Sequence, residues 1–364
     1  MLHIHRHVTG LAAFRPVVVA EKLKGTWEGP VPIVAGRSRL RECGRILERL
    51  TGRPWQMGPA EARGVARAWE GCAVGHIFFG SVAVHALRVA RMWRGPLVVS
   101  FHGSDVAGGF ASPGYSRARA RLFARADLVA CRSEHLARAV LALGCPHQKL
   151  RILRTALPPV PAGEPPEPPP DGGWRILLAG RLVPKKGVAT ALRAFAEFAR
   201  KFPLARLTIA GDGPLRARLE DEARGLGIAD KVEFAGFLTQ PAMQEALRLC
   251  QIYLHPSETV SGDVEGVPNA VIEALWAARA CVSTRHGGIP EIVKDGVTGL
   301  LCDEGDAAGL ADALGRLAAD PGLLRSLAVG GRDDVRRLFP PGAPDALYRE
   351  AAGINPGAGP GVRV

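Results

Sequence analysis

The chain lacks the marks of a secreted or membrane-spanning protein. Its seven cysteines, Cys43, Cys72, Cys131, Cys145, Cys250, Cys281 and Cys302, are scattered singly, with no Cys-x-x-Cys and no metal-ligand spacing. An odd, unpaired set of this kind reads as small buried hydrophobes in a reducing compartment, not as a disulfide framework. The opening Met1-Leu2-His3-Ile4-His5 has no signal-peptide profile. The longest charge-free apolar stretch lies between Glu70 and Arg88 and is broken by Gly75, His76, Gly80 and His85, too short and too polar to span a bilayer. These absences predict a cytoplasmic protein. A GxxxxGK[ST] phosphate loop is also missing, and the one partial dinucleotide fingerprint, Gly211-Asp212-Gly213, has Arg216 where its third glycine belongs. A Rossmann dehydrogenase is therefore poorly supported.

What is present begins with positive charge. Lysine and arginine number 47 against 35 acidic residues, a net charge of +12. Such a balance fits nucleic acid, an anionic lipid surface, or simply arginine-rich solvated helix faces such as Ser116-Arg117-Ala118-Arg119-Ala120-Arg121. No nucleic-acid recognition motif accompanies it, so nucleic acid is not expected as a partner. The other two readings stay open, with peripheral contact at the inner face of the plasma membrane as the functional one. Composition is 47% hydrophobic and 23% charged, enough apolar material for a core.

Half of the residues from Pro158 to Gly173 are proline. A stretch of this kind is stiff and extended and enters neither helix nor central strand, so it predicts an interdomain linker. After it, strand and helix patterns alternate. Residues 175–179, 206–210, 232–234, 252–254 and 280–283 read as strands, and 188–201, 215–224 and 269–278 as helices. Before it, 17–20, 76–79, 97–100 and 128–130 read as short buried strands, with a helix over 136–143. Repeated βα units predict an α/β protein with parallel sheets, and ligands at the carboxyl ends of the strands.

Three loops of the second half carry suitable chemistry. In Gly180-Arg181-Leu182-Val183-Pro184-Lys185-Lys186-Gly187, Arg181 and Lys186 are cations before a helix N-terminus, apt for a diphosphate or simply a solvated basic turn. In the next, Gly211 and Gly213 let a ligand approach the backbone or form a plain turn. In Glu265-Gly266-Val267-Pro268-Asn269-Ala270-Val271-Ile272-Glu273, two carboxylates flank a helix start. Sugar and ribose hydroxyls need acceptors of this kind once desolvated. The bland alternative is Glu273 salt-bridged to a neighbour and Glu265 exposed.

In order, GRLVPKKG, LTIAGDGPL, VEFAGFL, HPS, EGVPNAVIEALWAARACVSTRHGGIPEIV and DGVTGLL resemble the retaining glycosyltransferases of family 4 over most of residues 174–303. Ser100-Phe101-His102-Gly103-Ser104-Asp105 resembles that family's N-domain segment with an active-site histidine. The HGSD element and Ser261-Gly262-Asp263-Val264-Glu265-Gly266 look most like members that build exopolysaccharide or colanic-acid-type polymers. The resemblance implies the GT-B fold, two Rossmann-like domains facing a central cleft. Its expected division is an acceptor-side domain over 1–157, a linker over 158–173, a donor-binding domain over 174–336, and over 337–364 a helix returning to the first domain by Leu347 and Tyr348, plus a tail.

The resemblance also implies roles. Arg181 and Lys186 would hold the donor diphosphate, and Glu273 the ribose hydroxyls. Glu265, with Gly266, Val267, Pro268 and Asn269, would hold the donor sugar, and Gly211 and Gly213 would line the donor site. His102 would act beside the sugar, with His286 near the donor and Asp105 near the acceptor. The implied reaction is retaining transfer from a nucleotide sugar to a saccharide or lipid-linked saccharide in cell-surface polysaccharide synthesis. No Asp-x-Asp is present, the nearest element being Asp263-Val264-Glu265. No metal and no cofactor are expected, the nucleotide sugar being a co-substrate. One departure stands out: the family opens with a strand and a glycine-rich loop, whereas this chain opens at what looks like the following helix. The first strand is thus expected to be missing, which raises the alternative of a catalytically impaired nucleotide-sugar-binding or scaffold relative. A phosphorylase fits less well, lacking any pyridoxal-lysine motif, as does an epimerase, a class that shares the fold but not this Glu-x7-Glu run.

Overall fold

A computed structural model describes residues 2–20, 33–34, 46, 48–103, 106, 108–154, 163–262, 264–354 and 362–363. The chain divides into two compact units, one of Met1–Pro158 with Phe339–Val364 and one of Pro159–Leu338.

The first unit opens with α1 (Leu2–Thr9) and three two-residue strands, β1 (Phe14–Arg15), β2 (Val19–Ala20) and β3 (Ile33–Val34), of which β2 and β3 pair. There follow α2 (Pro59–Ala68), β4 (Gly75–Phe78), α3 (Gly80–His85), α4 (Leu87–Met92), β5 (Leu97–Phe101), α5 (Ser116–Arg125), β6 (Leu128–Cys131), α6 (Glu134–Ala142) and β7 (Leu150–Ile152). Strands β4-β5-β6-β7 form one parallel sheet in that order. Every residue of β5 and β6 is buried, as expected where helices cover both faces of a parallel sheet. The strand expected over 76–79 ends one residue early, because Phe79 turns to φ 72° to open α3.

Two arginines of α5, one of them in the basic run, are structural. Arg119 in α5 donates to the carbonyls of Leu143 and Ser112, and Arg125 to those of Ala90, Trp93 and Gly95. Arg117 and Arg121 remain exposed.

The second unit runs β8 (Arg175–Ala179), α7 (Val188–Lys201), β9 (Arg206–Ala210), α8 (Arg216–Gly225), β10 (Val232–Gly236), α9 (Gln240–Leu249), β11 (Ile252–His255), α10 (Asn269–Trp276), β12 (Ala280–Thr284), β13 (Leu300–Cys302), α11 (Ala307–Ala319) and α12 (Pro321–Leu338). Its six strands are all parallel in the order β10-β9-β8-β11-β12-β13. Counted within the unit this is 3-2-1-4-5-6, the doubly wound order, whose direction of winding reverses between β8 and β11. Helix α7 shows why the sequence was readable: Leu192, Phe195, Phe198 and Ala199 form its buried stripe against Ile176, Leu207 and Leu254.

The described part of the proline-rich run, residues 163–173, lies along the second unit. Arg279 donates to the Glu164 carbonyl, and Arg325 pairs with Glu167 at 2.5 Å. The chain's end belongs to the first unit. In α13 (Ala343–Ala352), Leu347 and Tyr348 pack with Phe14, Val98 and Leu128. Asp345 accepts from the main-chain N–H groups of Ala12 and Ala13 at 3.1 and 2.8 Å. Finally β14 (Val362–Arg363) pairs with β1.

Candidate functional site

In the second unit, the strand ends on both sides of the winding reversal carry a polar cluster centred on Glu265. Strand β8 ends at Ala179, and the loop after it brings Lys186 to Gly187, which opens α7 at φ 59°. A side chain at Gly187 would place its Cβ 1.8 Å from the Pro256 carbonyl oxygen, so only glycine lets this loop reach the end of β11. The same two loops are joined by Glu258 N–H to Lys185 O at 2.9 Å, and Glu258 Oε1 also receives the hydroxyl of Thr190, in the first turn of α7, at 2.5 Å.

This approach sets Lys186 Nζ 2.6 Å from Glu265 Oε1. The other oxygen, Oε2, receives the Ser257 hydroxyl at 3.0 Å and lies 3.2 Å from His255 Nε2. Burial pushes the Glu265 carboxyl up, but the His255 hydrogen bond and the Lys186 ammonium outweigh it and hold the group well below the usual carboxylate range. Burial, reinforced by the Lys186 charge, pushes His255 down. A neutral His255 beside an ionised carboxylate must donate from Nε2, which leaves Nδ1 as the acceptor facing the Tyr253 hydroxyl at 3.5 Å. Ser257 and His255 therefore donate to one oxygen and Lys186 to the other.

The remaining expected residues take different places. Glu273 is buried in α10, and its charge reaches Tyr253, whose hydroxyl is pushed up first by burial and then by the charges of Cys281 and Glu273. Glu265 is not exposed, as the bland alternative would have it, but pairs closely with Lys186. Arg181 is exposed and forms no ion pair among the described residues. Gly211, at φ 137°, has its Cβ position 1.9 Å from the Gly180 carbonyl oxygen, and its N–H donates to Gly236 O at 2.7 Å. Gly213 packs beneath the Leu182 carbonyl. Gly266 leads into Val267 and Pro268, both buried, and Pro268 accepts from Ile272 N–H to start α10 at Asn269. The N–H groups of this first turn lie beyond the helix's own bonds and suit an anion.

His255 and Ser257, the ends of the His-Pro-Ser run, carry no role in the sequence pattern alone. The available signal is their place at the carboxyl end of a buried strand, His255 as its last residue and Ser257 just beyond. Glu304 and Thr259, which contact His286, had no signal in the sequence.

In the first unit, His102 follows β5 directly. Its Nε2 lies 2.9 Å from Ser100 Oγ, and its ring packs on Phe79 with centroids 4.8 Å apart. A cavity of about 10 Å³, the size of a single water, borders His102, Ser100, His7 and Arg132. Asp105 lies outside the described residues, as does Asp263. Among the described residues no group of three or more His, Cys, Asp or Glu is gathered as metal ligands, and no helix is long and apolar enough to cross a membrane.

Residues 3–159 match the model of Glycosyltransferase Family 4, and residues 164–334 that of Glycosyl transferases group 1. Each half of the chain thus matches a glycosyltransferase model. It is 32% identical to the amylovoran biosynthesis glycosyltransferase AmsK of Erwinia amylovora, over 72% of this chain and 65% of that protein. It is 31% identical, over the same shares, to the putative colanic acid biosynthesis glycosyltransferase WcaL of Escherichia coli. The chain thus spans a little under two thirds of the length of these relatives. Among solved structures it resembles Anabaena HepE in complex with UDP-glucose, with TM-score 0.67 and 18% identity over 83% of this chain and 85% of that one. Sucrose-phosphate synthase from Thermosynechococcus elongatus gives TM-score 0.64 and 21% identity, over 82% of each chain. These likenesses show the GT-B fold, with two Rossmann-like domains.

Proposed function

We propose that this chain transfers a sugar, with retention of anomeric configuration, from a nucleotide-sugar donor to a saccharide or lipid-linked saccharide acceptor in cell-surface polysaccharide synthesis. The observation that carries this reading is the ionised Glu265 held by Lys186, His255 and Ser257 at the reversal point of the doubly wound sheet. A carboxylate fixed on both oxygens is a preorganised acceptor for sugar hydroxyls. AmsK and WcaL are named for exopolysaccharide synthesis, and HepE is described with UDP-glucose, which supports the donor and polymer class.

In the proposed reaction the bond between the sugar's anomeric carbon and the donor phosphate oxygen breaks. The acceptor oxygen bonds to that carbon on the same face, and its proton passes to the leaving diphosphate. Negative charge grows on the diphosphate. Arg181, Lys186 and the first-turn N–H groups of α10 are assigned to stabilise it, in place of a metal ion or cofactor. An ammonium has three donors, so Lys186 can keep Glu265 and still reach a phosphate. Glu273 is assigned to the ribose hydroxyls, and Gly211 and Gly213 to the close backbone approach. His102 keeps the catalytic role that the family pattern implies.

The test is turnover of a panel of nucleotide sugars with and without saccharide acceptors, with EDTA present, and with product anomers assigned by NMR. Lys186→Ala and Glu273→Ala should each lose turnover on the order of 100-fold or more. Full activity in both variants would refute the site. Nucleotide-sugar binding without transfer to any acceptor would instead mark a binding or scaffold relative.

A further inference from the structure

Glu265 has a second set of ties, made by its main chain. Its N–H donates to His286 Nε2 at 2.9 Å, and its carbonyl receives the Gly288 N–H at 3.3 Å. A backbone N–H only donates. His286 Nε2 must therefore be the bare nitrogen, and the neutral imidazole carries its proton on Nδ1. That proton faces Glu304 Oε1 at 2.7 Å. Glu304 is itself fixed by Thr259, whose N–H reaches Oε2 at 2.6 Å and whose hydroxyl reaches Oε1 at 3.1 Å. The His286 side chain is wholly buried, whereas that of Glu304 is about one-third exposed, 32%.

These residues stand just past three adjacent strands: Thr259 and Glu265 after β11, His286 after β12 and Glu304 after β13. One hydrogen-bonded line, Thr259–Glu304–His286–Glu265, thus links three strand ends. We propose that Glu304 and His286 are positioning residues: Glu304 holds His286 in its Nδ1–H tautomer, and His286 in that form fixes the peptide of Glu265 and so the aim of its carboxylate. This deepens the function proposed above and rests on Glu265 serving the donor sugar.

The argument turns on the tautomer. Without Glu304 the Nδ1 proton keeps only the Thr259 hydroxyl, a longer contact at 3.4 Å and no longer held in place by Glu304, and the ring is freer to move its proton to Nε2. An Nε2–H would meet the N–H of Glu265 donor to donor, and the tie would break. The loop could then shift by a fraction of an ångström without unfolding. Displacements of that order cost reaction rate more than nucleotide binding, because the Glu265 carboxylate is assigned to the sugar, whereas most of the nucleotide's contacts are assigned to Glu273 and to the loop after β8.

The experiment has two arms. In the first, histidine-selective ¹⁵N labelling reads the tautomer, with the His286 signal assigned by its loss in His286→Gln. The wild-type protein should show a protonated Nδ1 and a bare Nε2, and Glu304→Ala should lose that pattern. In the second arm, kcat for nucleotide-sugar turnover and the Kd for UDP and for GDP are measured in Glu304→Ala and Glu304→Gln. Glu304→Ala should lower kcat by roughly 10- to 100-fold while each Kd stays within about twofold. Glu304→Gln keeps an oxygen acceptor for Nδ1–H and should recover most of kcat. Glu304 is partly exposed, so these variants should fold even if His286→Ala does not.

A wild-type His286 protonated on Nε2 overturns the inference outright. So does an unchanged kcat in Glu304→Ala when Glu265→Gln abolishes turnover, which leaves the donor-site reading standing. If Glu265→Gln keeps full turnover, the donor-site reading fails, and the labelling arm still decides whether Glu304 sets the tautomer.

Discussion

At the residue scale, the Lys186–Glu265 pair is held by burial as much as by charge, with side-chain exposures of 15% and 9%. Breaking a buried pair leaves the surviving charge desolvated, a loss of about 3–5 kcal/mol. Glu265→Ala should therefore lower unfolding stability on that order as well as stop turnover, whereas Glu265→Gln should stop turnover with a smaller stability loss. Urea titrations of the two variants separate the effects. A second residue-scale prediction concerns Tyr348. Its hydroxyl lies 2.7 Å from His7 Nε2 and 2.6 Å from His76 Nδ1, within a buried cluster. Tyr348→Phe keeps the ring packing on Phe14 and removes only the hydroxyl, so it should cost about 1–3 kcal/mol. A shift in the urea midpoint below that of other buried Tyr→Phe changes would show that the two imidazoles re-partner.

At the scale of elements, the turn between β9 and α8 and the loop after β8 lock together through Gly211. An added Cβ there meets the Gly180 carbonyl oxygen at 1.9 Å, and the φ of 137° is one that other residues rarely adopt. Gly211→Ala should weaken donor binding more than single polar substitutions nearby, because it pushes apart the two loops that carry Arg181, Lys186 and Gly213. Thermal-shift measurements with UDP and GDP would record the loss as a smaller ligand-induced rise in Tm.

At the scale of the whole molecule, each unit holds a histidine whose pKa is lowered. His255 in the second is pushed down by burial and then by Lys186, and His76 in the first by burial and then by His7 and His102. For both, the unfolded chain takes up its proton first. Stability should therefore fall once pH drops below about 6.5 and keep falling until the folded groups titrate. Glu265, held low in the folded state, adds a further loss below about pH 4.3, the ordinary carboxylate value. Urea midpoints at pH 8, 6 and 4.5 should decrease in that order, and His255→Gln should flatten the first step. The net charge of +12 also belongs to this scale. Arg119 and Arg125 are committed to backbone carbonyls, so the peripheral membrane contact that the charge leaves open would rely on exposed residues such as Arg117 and Arg121. Cosedimentation with anionic vesicles should exceed that with zwitterionic ones and fall with added salt.

The sequence by itself determined the repeating βα order of the second unit. Buried parallel strands are written as short apolar runs, and α7 is written as a stripe at helical spacing. It also singled out Lys186, Glu265 and Glu273, because cations and carboxylates beside helix starts are local patterns. Only the tertiary structure decided which of them meet. Whether Lys186 pairs with Glu265 depends on how closely the loop after β8 approaches the end of β11, a distance set by Gly187 and strand order rather than by spacing along the chain. The partnership of Glu265 with His286 and Glu304 was illegible for the same reason. Those residues are separated by two strands and a helix in sequence, and they become neighbours only because β11, β12 and β13 lie side by side.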